Sequence, residues 1–207
     1  EAVITSDRTI PGIDIFKNVN AMKIFEHIEK PYLTMVLSFA DEENVVQDMD
    51  FQGGEKISIT LIDGEEVESA FEIKKQFVID RIVDVKKLEE RRENVVVHCT
   101  EYHMFESVTQ NVNKSYTGSP TSIIQKIIDE HLSKKCLIDG EDSVKDMKVV
   151  IPNLNPIEAV NWLKKRSTTK DGFPFYVYSP LGVSNIVVRD LGLSLIHISE
   201  PTRRHLI

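Results

Sequence analysis

The 207 residues suffice for one large domain or two small ones, and 41% hydrophobic with 28% charged residues is the balance of a globular chain rather than a disordered one. At this size roughly 70% of the unfolded surface is buried on folding, so a core needs no staples. The net charge of −8 argues against a protein that grips nucleic acid through its phosphates, and no apolar run approaches the ~18 residues of a membrane span.

No signal peptide is visible in a sequence that opens on Glu1 rather than Met, and two cysteines that make no disulfide framework read as those of a chain intracellular when made. Residues 1–20 contain Val3-Ile4, a turn at Pro11-Gly12 and Ile13/Ile15 alternation, which predicts a strand or arm. Met22, Ile24 and Ile28 share parity, and that segment stops at Lys30-Pro31. Tyr32–Phe39 is the clearest strand: Leu33, Met35, Leu37 and Phe39 face one way, and Tyr32, Thr34, Val36 and Ser38 the other. After the polar turn Asp41–Asn44, Gly53-Gly54 precedes a strand over Ile57–Ile62 that ends at Asp63-Gly64, a favoured hairpin pair. Phe71–Ile73 and Phe77–Ile82 continue the alternation, the charged stretch Val83–Glu93 reads as a solvated hairpin tip, and Val95, Val97 and Cys99 make the next strand. Short strands with turns every 8–12 residues point to a barrel or sandwich.

The pattern changes after Tyr116-Thr117-Gly118. Ser119 caps a predicted helix with Pro120 at its first position, Ile123, Ile124, Ile127, Ile128 and Leu132 supply its stripe, and Lys134-Lys135 closes it. Asp139–Asp142 is a turn, and Met147, Val149 and Ile151 begin a second β unit whose strand ends at Pro152. Asn155 then offers an N-cap, Pro156 sits at the first helical position, and Glu158 completes a capping box. Ala159, Val160 and Leu163 share a face with Ile157 and Trp162 at its margins, and Lys164-Lys165-Arg166 suits the C-terminal end of the dipole. Phe173, Phe175 and Val177 alternate in a following strand.

Each candidate for chemistry has a blander and stronger explanation. His98, Cys99 and His103 invite a metal reading, but strand alternation separates His98 from Cys99 and no second ligand pair stands at zinc spacing, so a core cysteine flanked by surface histidines is preferred. Asp48, Asp50, Gln52 and Gly53 mimic the opening of a calcium loop, yet Ile59 occupies the position of the bidentate Glu. The pairs Glu42-Glu43, Glu65-Glu66 and Glu89-Glu90 lie in polar turns, where catalytic carboxylates lack the apolar pocket they need. Cys99 and Cys136 could form a disulfide, but two buried free thiols are the better reading. No phosphate loop, dinucleotide fingerprint, nucleophile elbow or HExxH helix is found. The expectation is no enzyme, no catalytic residues, no metal and no cofactor.

The strings IFEHIEKPYLTMVLSFAD (Ile24–Asp41) and GGEKISITL (Gly53–Leu61), then Asn113–Gly118 with its helix, then IPNLNPIEAVNWLKKRS and GFPFYVYSPLG, resemble in order and spacing the baseplate central hub proteins of contractile-tailed bacteriophages, over roughly Ile24–Leu191. The resemblance implies an α+β, mainly antiparallel β chain with two related β-barrel domains, the second incomplete, joined by a helical connector. It implies a homotrimer that joins the tail tube to the spike and tail-lysozyme proteins, assembled in the host bacterial cytoplasm and carried in the virion. DNA would pass through the bore without specific binding. It carries over assembly residues only: Pro31 and Tyr32 opening a hairpin, Gly54 at a turn, and Pro152, Asn155, Pro156 and Trp162 shaping the capped helix.

On this reading residues 1–118 form the first barrel, 119–145 the connector and 146–193 the partial second barrel with its capped helix over 156–166. Residues 194–207 are expected to be a non-native tail, because SLIHISEPTR (Ser194–Arg203) resembles the translation of a sequencing adapter. The rival readings are a spike-base protein of a type VI secretion-like injection system, the non-catalytic part of a tail-associated cell-wall hydrolase, and a free-standing barrel that binds a small ligand.

Overall fold

A computed structural model describes residues 1–6, 12–42, 45–48, 51, 53–63, 71–89 and 92–192. The expected turns at Pro11 and Gly64, the residues Asp50 and Gln52, the pair Glu65-Glu66 and the tail 194–207 lie outside them. The chain divides into two compact units, one made of residues 1–27, 32–106 and 180–184, the other of 28–31, 107–179 and 185 onward.

In the first unit the strands are β1 (Ala2–Thr5), β2 (Ile13–Asp14), β3 (Val19–Phe25), β4 (Thr34–Asp41), β5 (Lys56–Asp63), β6 (Phe71–Glu89) and β7 (Arg92–Glu101). They form one antiparallel sheet in the order β2-β1-β5-β6-β7-β4-β3, curled into a half-barrel. Alternation decides which side closes on itself. Met35, Leu37 and Phe39 of β4, Ile57 and Ile59 of β5, Phe77 and Ile79 of β6, and Val95, Val97 and Cys99 of β7 all turn into one core with Ile4, Ile15 and Leu33. Burying such side chains contributes roughly 1.5–3 kcal/mol each before the entropy of ordering them is set against it. Two short helices complete the unit's chain, α1 (Val45–Asp48) and α2 (Tyr102–Val108), the latter running on past Glu106. The buried Asp41 carboxylate starts α1 by accepting the N–H groups of Val45 at 2.7 Å and Val46 at 3.2 Å.

The second unit holds β8 (Ser115–Gly118), α3 (Pro120–His131), β9 (Cys136–Asp139), β10 (Met147–Val150), α4 (Pro156–Lys164), β11 (Phe175–Tyr178) and β12 (Ile186–Asp190). Its described strands pair as an antiparallel β8–β10 ribbon and a sheet in the order β11-β12-β9, with β9 and β12 parallel. Ser119 caps α3 by accepting the Ser122 N–H, Pro120 takes the first turn, and the stripe Ile123, Ile124, Ile127 and Ile128 is fully buried. It packs against α4, whose Ala159, Val160 and Leu163 are equally buried.

The α+β, mainly antiparallel, barrel-like architecture is therefore present. Three details differ from the sequence reading. The solvated stretch Val83–Glu93 is largely strand: β6 runs to Glu89 and pairs with β7 as far as Arg92, because its β-branched run tolerates the three register shifts that bend it. Residues 107–118 belong to the second unit, since β8 finds its partner in β10. The stretch 119–145, expected as a helical connector, holds the strand β9 as well as α3, and α3 packs against α4.

Candidate assembly site

The half-barrel presents open edges. β3 stands at one end of the sheet, with no described strand beyond it. A second edge appears on β6. Its pairing with β5 ends at Val78 opposite Lys56, followed by one hydrogen bond from the Ile79 N–H to the Glu55 carbonyl at 2.8 Å. β6 then continues for ten residues bonded to β7 alone among the described strands. Both faces of this arm are wet: Val83 is 52% and Val85 46% exposed, and Arg81, Lys86 and Lys87 are exposed too. Unpaired N–H and C=O groups beside apolar side chains are a template for another strand.

At the opposite end of the β6–β7 pair from this arm lies a buried polar cluster. Lys75 of β6 is 7% exposed, Glu101 at the end of β7 is 1% exposed, and His103 on α2 is 1% exposed. The Lys75 ammonium donates to the carbonyls of Pro180 at 2.9 Å and Val183 at 2.7 Å and lies 3.8 Å from the Glu101 carboxylate. Glu101 accepts the Leu33 N–H at 2.9 Å, gives its own N–H to the Leu33 carbonyl at 3.0 Å, and has the His103 Nδ1 3.9 Å away. A buried ion pair survives only when its remaining lone pairs and protons are met in this way. His103 is thus a core residue and not the surface histidine expected; the turn of α2, which alternation does not reveal, carries it inward.

Pro31 is buried and Tyr32 half-buried between β3 and β4, and the two fall in different units. Gly54 has φ +91°, beside Gly53 at +98°, so the turn before β5 needs the left-handed region that glycine occupies without strain. These glycines line a cleft of about 210 Å³ with Ser6, Glu55, Lys56, Tyr102 and Phe105. The other four candidates cluster around α4. Pro152 is exposed in the turn before it, and Asn155 accepts the Glu158 N–H at 2.9 Å while Glu158 reaches back to the Asn155 N–H at 3.4 Å. Pro156 is buried at the first position, and the half-buried Trp162 ring lies under the Arg166 guanidinium at 3.9 Å. Sequence reasoning missed Lys75, Glu101 and α2, because lone charged residues inside alternating strands look solvated until a partner is seen.

Both cysteines are free and buried, and burial pushes each thiol up to about 12, with Asp80 adding to the effect at Cys99 and Asp129 at Cys136. Among the described residues, no group of three or more His, Cys, Asp or Glu side chains is arranged to hold a metal ion, and no helix is long and apolar enough to cross a membrane.

No family model matches the chain, and no characterised protein matches it by sequence. The fold, by contrast, is found among phage tail proteins. The 43 kDa tail protein of prophage MuSo2 from Shewanella oneidensis superposes with a TM-score of 0.52 at 12% identity, covering 91% of this chain and 53% of that one. The prophage tail protein gp18 from Listeria monocytogenes EGD-e gives 0.52 at 10% identity, covering 91% and 50%. This chain spans about half the length of both.

Proposed function

We propose that the chain is a structural subunit of a phage baseplate hub, which trimerises to connect the tail tube with the spike and leaves a bore for DNA. The observation that carries this reading is a fold shared with two prophage tail proteins across 91% of the chain, built on a half-barrel that has strand edges with no partner among the described strands. On this reading the protein is not an enzyme. Its work is done by buried surface and strand pairing between copies, and it acts in the virion after assembly in the host cytoplasm. The acidic balance of −8 suits a bore that must not retain a polyanion. Light scattering on the purified protein tests the proposal: a species of three times the 23.6 kDa chain mass is expected, and a single-chain mass across the micromolar range overturns it.

A further inference from the structure

The two units exchange pieces of chain. Residues 180–184 are flanked on both sides by the second unit yet belong to the first, and residues 28–31 lie within the first unit's β3–β4 connection yet belong to the second. Each excursion is fastened by a lysine to main-chain carbonyls. In the first unit the buried Lys75 ammonium holds Pro180 and Val183, the side chain of Leu181 packs on the core, and the Leu181 N–H donates to the Glu26 carboxylate. In the second unit, Lys164 of α4 donates to the Glu29 carbonyl at 3.1 Å. An ammonium taken out of water is tolerated only where its protons are met, and Lys75 meets them with two carbonyls and the Glu101 carboxylate. The 180–184 turn is therefore tied to the first unit through the Pro180 and Val183 carbonyls and the Leu181 side chain, although Gly182, Val183 and Ser184 are themselves exposed.

We infer that the turn Pro180–Ser184 is a strap that makes the two units unfold as one cooperative step, and that Lys75 is its fastener. The reason is topological. To open the second unit fully, the chain on either side of 180–184 must be released, which pulls on a segment held in the first unit's core; to open the first, that segment must leave a buried carboxylate and ammonium behind. Locally independent opening, the usual behaviour of separate compact units, is then closed off.

The test uses the whole chain. Trp162, the single tryptophan, reports on the second unit by fluorescence, and amide exchange of β4 and β7 followed by mass spectrometry reports on the first. In urea the two probes should share one midpoint in the native sequence. In Lys75→Met the exchange midpoint should fall below that of Trp162, and the peptide covering 180–184 should exchange about tenfold faster or more. Separate midpoints in the native sequence overturn the coupling, and coincident midpoints in Lys75→Met overturn the role of Lys75. Should Lys75→Met not fold, Leu181→Ala removes the strap's apolar contact without stranding a charge. It is read in the same way: split midpoints support the strap, and coincident ones overturn it.

Discussion

Several side chains here are set by a single neighbour, and each makes its own measurable contribution. Asn155 satisfies one of the orphan N–H groups at the start of α4, and Glu158 satisfies another in return. Asn155→Ala should cost about 1 kcal/mol of stability, read as a lower urea midpoint with an unchanged slope. Glu130 is a second case. The Lys114 ammonium bonded to it at 2.9 Å, helped by the Tyr116 hydroxyl, holds its carboxyl below the ordinary 4.5. A carboxyl lowered on folding stabilises the fold above its unfolded value, and that contribution disappears as pH falls through the folded value. The pair is well exposed, so its contribution is small. Lys114→Met should lower the melting temperature modestly at pH 7, and the gap from the native sequence should close as pH falls below 4.5.

At the level of strands and helices, the β6 arm is where association should be felt. Exposed Val83 and Val85 lie on a strand whose outer edge has lost β5. Val83→Glu combined with Val85→Glu places charge on that edge, as natural edge strands do. The double variant should shift the light-scattering mass towards a single chain while leaving the melting temperature within a degree or two, since neither side chain is core. Much of this architecture is legible from residues alone. Leu33, Met35, Leu37 and Phe39 alternate cleanly because β4 has one wet face, and Asn155-Pro156 with Glu158 spells a helix start that needs no tertiary help. The rest depends on distant partners. β12, Ile186–Asp190, shows almost no polar alternation because Ile186, Val187 and Val188 are all buried, and α2 lacks an apolar stripe. The fastening of Lys75 to carbonyls more than a hundred positions away has no local signature at all.

For the whole molecule, charge and unit structure set the expectations. A chain at −8 repels DNA, and the Lys164–Arg166 cluster is already engaged, with Lys164 on the Glu29 carbonyl and Arg166 over Trp162. Duplex DNA should therefore show no change in mobility with the protein even at 20 mM salt, roughly the regime where phosphate contacts are strongest. Retardation there would mean that basic side chains converge on some surface in the assembled form. Each of the two units is built from more than one stretch of chain, so cutting the sequence at a single point leaves neither unit whole.

The parallel pair β9–β12 has a bearing on how the polypeptide is made. Arg189 meets Asp139 across 50 positions, with α4 and β11 in between. At roughly 5–20 residues per second, about 3–10 seconds of translation separate the emergence of Cys136–Asp139 from that of its mate. During that interval β9 has its contact with α3 but not yet its strand partner, so a ribosome that stalls before Ile186 leaves β9 without the pairing it has in the finished fold.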